Sequence, residues 1–205
     1  MTQVQRAAPP RTADPEWRQT RVLDGQAVSR VLTRLAHEVV EAHPGDMDRV
    51  VLAGIRAGGV GVARCLCAHL RDISGTDARL VAVDVSGFRD DRPRQPGLNG
   101  AWQGILPAPS RHRTHPTPSP EGAVVILVDD VIQTGRTMRA AFDVVSSHGR
   151  PAAIEMAVLV DRGGREVPVR PTYVGKNLPV TMSEWVEIEL GPDPDEGGIF
   201  LVPRP

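Results

Sequence analysis

Apolar positions change period as the chain advances. Val28, Val31, Leu32, Leu35 and Val39 recur at helical spacing and predict a helix within residues 22–42. Asp24 is placed to cap its start, and Pro44-Gly45 to stop it. The period then collapses into an unbroken apolar run, VVLAGI at 50–55, which reads as a buried strand. Arg56-Ala57-Gly58-Gly59 interrupts, and VGVARCLCAHLRDI restarts helical spacing. A second strand is predicted at 79–86. Between residues 90 and 122 all periodicity is lost among seven prolines, four glycines and the basic string Arg111-His112-Arg113. That stretch is too long for a plain connection and predicts a lid or binding loop. VVILVDD forms a central strand, a helix follows at 135–148, and strands follow at 154–160, 173–175 and 185–190. Residues 1–20, polar and carrying Pro9, Pro10 and Pro15, predict a flexible tail; 21–205 predicts a single domain.

Strand, helix, strand, helix, strand is the order of an α/β fold with a mainly parallel sheet covered on both faces. Ligands of such sheets sit beyond the carboxyl ends of the strands. Here those ends carry Gly54 to Gly59, Asp129 to Thr137, and Asp161 to Arg165, stretches far apart in sequence that this topology brings to one edge.

At 205 residues the chain is long enough for a real core. Aromatic residues make up only 3%, so that core must be aliphatic. A net charge of −1 excludes a chain that is basic all over, while leaving room for a local basic face. Cys65 and Cys67, two apart on a helix, point to different sides and predict neither a disulfide nor a zinc site. No apolar run of about 18 residues occurs, and no secretory signal, so no membrane partner is expected and the cytoplasm is the expected location.

The chemistry concentrates in VILVDDVIQTGRT, residues 125–137. Gln133-Thr134-Gly135-Arg136-Thr137 links a strand to a helix. The first turn of that helix offers free backbone N–H groups and the positive end of its dipole. Two threonine hydroxyls, and a glycine that admits close approach, complete a cradle for an anion such as phosphate. Just upstream, Asp129 and Asp130 can accept hydrogen bonds from a sugar diol, or hold Mg²⁺ through water. Together they suit a phosphorylated ribose. Adjacent acids at a strand end can also serve only to cap a helix or bind a metal, or can belong to a phospho-acceptor domain.

VILVDDVIQTGRT resembles the 13-residue signature of type I phosphoribosyltransferases, which bind 5-phosphoribosyl-1-pyrophosphate (PRPP). LTRLAHEVVE (32–41), VLAGIRAGGVGVARCL (51–66), FRDD (88–91), VLVDRGGREVPVRPTYVGKNLP (158–179) and SEWVEIEL (183–190) further resemble the PyrR family of pyrimidine-operon regulators with uracil phosphoribosyltransferase activity. The likeness runs from about Val22 to Val202. It implies a type I phosphoribosyltransferase fold: a mainly parallel sheet flanked by helices, a small hood at about 161–185 and a long loop at about 90–122. It implies that PRPP or UMP is bound along Val128, Asp129, Asp130, Val131, Gln133, Thr134, Gly135, Arg136 and Thr137. The diol falls to Asp129 and Asp130, with Mg²⁺ beside them through water or PRPP, and the 5-phosphate to residues 134–137. Arg56, Ala57 and Gly58 would meet pyrophosphate. Arg89, at the start of the lid with Asp90 and Asp91, would help neutralise the leaving group, so that Arg56, Arg89, Asp129 and Asp130 form the catalytic set. Asp161 and Arg162 fall in the hood that reads uracil.

The family also binds a hairpin in the leader of pyrimidine messenger RNA, strengthened by UMP, as a homodimer or higher homo-oligomer. Thr33, Arg34 and His37 on the first helix, with Arg162, Arg165 and Lys176, would form that basic surface. Two departures bear on catalysis. The pyrophosphate loop reads Arg56-Ala57-Gly58-Gly59 where the family commonly has Lys-Thr-Arg-Gly, and Gln133 stands where Tyr is frequent. The lid is longer, and its Arg111, His112, Arg113 and His115 offer substitute positive charge. The alternatives are a regulator with decayed catalysis and a plain phosphoribosyltransferase for another base.

Overall fold

A computed structural model describes residues 19–88, 101–104, 117–181, 183–191 and 196–204. Arg89, Asp90, Asp91, Arg111, His112, Arg113, His115 and nearly all of the N-terminal tail lie outside the described residues.

The main sheet has six strands in the order β4-β3-β2-β5-β6-β7. β2 (Val50–Ile55), β3 (Arg79–Asp84), β5 (Val124–Ile132), β6 (Ala153–Asp161) and β7 (Tyr173–Asn177) are mutually parallel; β4 (Ala101–Gly104) runs antiparallel at the edge. The apolar runs that gave no helical period are the central strands, buried on both faces. Val50, Leu52, Ile126 and Val128 face one core, and Val51, Ala53, Ile55, Val125 and Leu127 the other. Helices α1 (Gly25–Ala42) and α2 (Gly58–Ser74) cover the first face, and α3 (Arg136–His148) covers the second. The core is mostly aliphatic, as the composition required, with Trp102, Tyr173 and Phe200 as its buried aromatic residues.

Asp24 caps α1: its side chain accepts a hydrogen bond from the Ala27 N–H at 2.7 Å. The helix begins only at Gly25, because Thr20–Asp24 forms strand β1. β1 pairs with β9 (Gly197–Pro203), and β9 with β8 (Glu184–Leu190), in a separate antiparallel sheet. The sequence reading missed β1 and β9. β1 and β9 lie far apart in sequence, so nothing local announces their pairing, and β9 meets β8 only across an interval that holds Pro192 and Pro194. Val22, Leu23, Val186, Ile188 and Leu190 pack this sheet onto the α1–α2 side of the core.

The expected loop at 90–122 contains strand β4. Trp102 is buried there, donates its indole N–H to the Pro118 carbonyl at 2.7 Å, and stacks near His148 with ring centroids 6.4 Å apart. The Gly104 N–H donates to the Thr117 hydroxyl at 3.4 Å. Strand β3 ends at Asp84 rather than Ser86, because the Asp84 carboxylate accepts the Ser86 N–H at 2.9 Å and turns the chain.

Candidate functional site

The parallel registers place the carboxyl ends of β3, β2, β5 and β6 along one edge of the sheet. Asp129 and Asp130 lie inside β5, which continues to Ile132, rather than beyond the strand. Asp129 is buried and accepts the Asp130 N–H at 3.1 Å; Asp130 accepts the Val131 N–H at 2.8 Å. The N-terminus of α2 presses against them. A β-carbon on Gly58 would stand 1.8 Å from an Asp130 carboxylate oxygen, and one on Gly59 would stand 2.2 Å from the Val128 carbonyl oxygen. At Gly59 the neighbour is backbone and only glycine fits, whereas at Gly58 a side chain would have to push the Asp130 carboxylate aside. The Arg56–Gly59 loop and the acidic pair, some seventy residues apart in the chain, are therefore in contact, as the topology predicted. The Arg56–Ala57 peptide is cis.

The cradle of residues 133–137 forms at the start of α3. Gly135 has φ +82°, and Val167 and Val169 fill the space where a side chain would stand. The Arg136 N–H donates to the Thr134 hydroxyl at 3.3 Å. The stretch Asp161–Val169 supports this loop from behind. The Thr134 carbonyl accepts from the Glu166 N–H at 3.0 Å and the Val167 N–H at 3.2 Å. Arg165 donates to the Gln133 carbonyl at 2.9 Å and to the Asp161 carboxylate at 2.6 Å, and Arg136 pairs with Glu166 at 2.7 Å. Burial opposes the charge on Asp161, but hydrogen bonds from Arg165 and the Gly163 N–H, with the charge of Arg165, hold its pKa below the ordinary carboxylate value.

A cavity of about 470 Å³ opens over these groups. Asp129, Gln133, Thr134, Thr137, Arg162, Glu166 and Trp185 are among the residues that line it. Trp185 is the large exposed apolar residue of the described chain, at 49% exposure, with the Arg204 guanidinium 4.1 Å from its ring centroid. Sequence reasoning missed Trp185. The signal was the alternation of WVEIEL, which puts Val186, Ile188 and Leu190 inward and leaves an indole on the wet face with Glu187 and Glu189.

Two members of the expected basic surface are engaged in contacts within the chain. Arg162 is 6% exposed; its guanidinium donates to the Thr181 and Glu184 carbonyls at 3.2 Å each and lines the cavity. Arg165 is engaged beneath the cradle, as described. On α1, His37 is exposed. Arg34 pairs with Glu38 and donates to the Val174 and Gly175 carbonyls at 3.0 and 2.7 Å, tying α1 to β7, which carries the exposed Lys176. The Thr33 hydroxyl donates to the Ser29 carbonyl at 3.0 Å and lies 3.4 Å from His69 Nδ1.

Two adjacent carboxylates followed by a glycine-bearing helix start, at the edge of a mainly parallel sheet, define a phosphoribosyltransferase-type site. Residues 18–196 match the phosphoribosyl transferase domain family. The Trypanosoma cruzi hypoxanthine phosphoribosyltransferase superposes with a TM-score of 0.65 over 94% of this chain and 95% of that one at 23% identity, and the Staphylococcus aureus enzyme with 0.57 over 78% and 77% at 20%; both bear on the fold. At higher identity stand proteins named Bifunctional protein PyrR. That of Geobacter sulfurreducens is 44% identical over 82% of this chain and 89% of its own, and that of Streptomyces coelicolor 41% identical over 90% of each. The chain belongs to the PyrR family.

Proposed function

We propose that this protein is a regulator of pyrimidine biosynthesis that binds UMP and a messenger-RNA leader hairpin, and that it carries uracil phosphoribosyltransferase activity, converting uracil and PRPP to UMP and pyrophosphate. The observation that supports this best is the single cavity shared by the α3 cradle, Asp129 and Trp185. It brings together an anion site, a diol acceptor and a flat aromatic surface, the three features that a nucleotide's phosphate, ribose and base require.

In this reading the backbone N–H groups at 135–137 and the hydroxyls of Thr134 and Thr137 hold the 5-phosphate. Asp129 and Asp130 accept the ribose hydroxyls. The Trp185 indole supports the pyrimidine, and Arg162 and Val186, which line the same cavity, face its edge. Two carboxylates suit Mg²⁺, which takes one or two protein carboxylates and completes its shell with water and substrate phosphates; among the described residues no cluster of three or more acids, histidines or cysteines competes for it. When bound, Mg²⁺ supplies charge neutralisation to the pyrophosphate group. As C1 gains oxocarbenium character, Arg56 neutralises charge on the departing pyrophosphate, and the carboxylates stabilise the ribose. Arg89 belongs to this proposal but lies outside the described residues.

For RNA, the proposed face is the exposed row Arg30, Arg34 and His37 on α1, spaced i, i+4 and i+7, with Thr33 and with Lys176 on the adjoining β7 edge. A homodimer or higher oligomer would enlarge that face. The proposed location is the cytoplasm; among the described residues no helix is long and apolar enough to cross a membrane. The loop Arg56-Ala57-Gly58-Gly59 favours the second reading, a regulator with weakened catalysis, because it offers one cation and no side-chain hydroxyl to pyrophosphate.

Filter binding of a pyrimidine-operon leader with and without UMP separates a regulator from a plain phosphoribosyltransferase: UMP-strengthened retention is expected, and none at any UMP concentration overturns the regulatory reading. Radiolabelled uracil with PRPP and Mg²⁺ separates active from decayed catalysis. Asp130→Asn is expected to weaken PRPP binding about tenfold, by halving the acceptor capacity offered to the diol and Mg²⁺. Titration calorimetry showing wild-type affinity for this variant would move the ribose elsewhere.

A further inference from the structure

We infer that Gln103 is a positioning residue that holds the Arg56 guanidinium for the pyrophosphate end of the site; this rests on the reading of Arg56 as the group that meets pyrophosphate. The Arg56 side chain is exposed and would otherwise sample many rotamers, at an entropic cost when a ligand orders it. In the structure its guanidinium donates to the Gln103 side-chain oxygen at 2.6 Å. Arginine has only donors, so the amide must present its oxygen.

Three observations make the contact directional. Gln103 sits on β4 directly after Trp102, which is buried and hydrogen-bonded to Pro118, so the strand that carries Gln103 is anchored. β4 pairs with β3, placing Gln103 opposite Ala82, while the Arg56 N–H donates to the neighbouring Val83 carbonyl at 2.9 Å; both partners of the contact are thus fixed to the same strand. The carboxylate near Arg56, Asp84, is turned toward Ser86: its Oδ1 accepts the Ser86 hydroxyl and N–H, which hold its pKa low with a smaller contribution from Arg56, and the Arg56 guanidinium is hydrogen-bonded to Gln103 instead. A neutral amide therefore orients the guanidinium without cancelling its charge, which stays available to an anion. A carboxylate at 103 would orient it equally well and neutralise it.

The test is direct binding by calorimetry on the full-length chain with Mg²⁺, titrating PRPP, inorganic pyrophosphate and UMP into wild type, Gln103→Ala, Gln103→Glu, Arg56→Ala and the double Arg56→Ala/Gln103→Ala variant. Gln103→Ala is expected to weaken PRPP and pyrophosphate about tenfold while UMP affinity stays within about twofold, because UMP lacks the pyrophosphate. Gln103→Glu is expected to weaken pyrophosphate at least as much. The double variant should match Arg56→Ala alone, since Gln103 acts only through Arg56. If Gln103→Ala binds pyrophosphate like wild type while Arg56→Ala does not, the inference fails and the site reading stands. Equal loss of UMP affinity in Gln103→Ala also overturns it, by showing a general disturbance of the fold. Unchanged PRPP affinity in Arg56→Ala removes Arg56 from the pyrophosphate site, and the inference with it.

Discussion

Gly59 shows how much of the site depends on missing atoms. Its α-carbon lies so close to β5 that an added methyl would overlap the Val128 carbonyl at 2.2 Å, and a backbone oxygen cannot swing aside as a side chain can. Gly59→Ala is therefore expected to destabilise the protein by about 2 kcal/mol or more, since overpacking a close backbone contact forces strands and helix apart. Urea denaturation at neutral pH measures it, and a midpoint equal to wild type would contradict the contact. At this scale the sequence was informative about chemistry and poor about support. The carboxylates and the Thr-Gly-Arg-Thr turn were legible because their chemistry is local. The role of Arg165 was not. It lies in a charged stretch that reads as surface, and only folding brings Asp161 and the Gln133 carbonyl to its guanidinium.

Among the elements, α1 does two tasks. Its buried face, Val28, Leu32, Leu35 and Val39, was readable from spacing alone, and Asp24 caps it where the sequence placed the cap. Its exposed face carries the proposed RNA contacts. Arg34 is partly engaged in holding β7, so its replacement would disturb packing as well as charge. His37 offers the cleaner experiment. His37→Ala is expected to lower leader-RNA affinity about tenfold while UMP affinity remains unchanged, one exposed base contact being lost and nothing in the core. Filter binding alongside calorimetry gives both numbers, and parallel losses would signal damage to the fold instead. Strands β1, β4 and β9 were the elements the sequence concealed. β1 and β4 are short, and the partners of all three lie in a distant part of the chain or beyond a proline-bearing interval, so no local period marks them.

Taken as a whole, the molecule is held by contacts between parts that titrate differently. His69 lies at the seam of α1 and α2, near the Thr33 hydroxyl, and burial lowers its pKa below 6.5 although Asp72 acts in the opposite direction. The folded protein thus binds this proton less tightly than the unfolded chain. Between the lowered value and about 6.5 the unfolded chain carries more protons, so stability falls as pH drops through that window and levels off above it. Denaturation midpoints at pH 7.5, 6.5 and 5.5 are expected to decline more steeply for wild type than for His69→Gln; parallel profiles would assign the slope to other groups.

The placement of Trp185 also has an optical consequence. The chain holds three tryptophans, of which Trp102 is buried in the second core and Trp185 stands half-exposed at the cavity mouth beneath Arg204. A pyrimidine seated against that indole should quench and blue-shift its emission, giving the protein a built-in reporter of occupancy. Titrating UMP should dim the intrinsic fluorescence to saturation, and Trp185→Phe should abolish that change while calorimetry still registers binding. A signal that survives the substitution would place the sensing ring elsewhere.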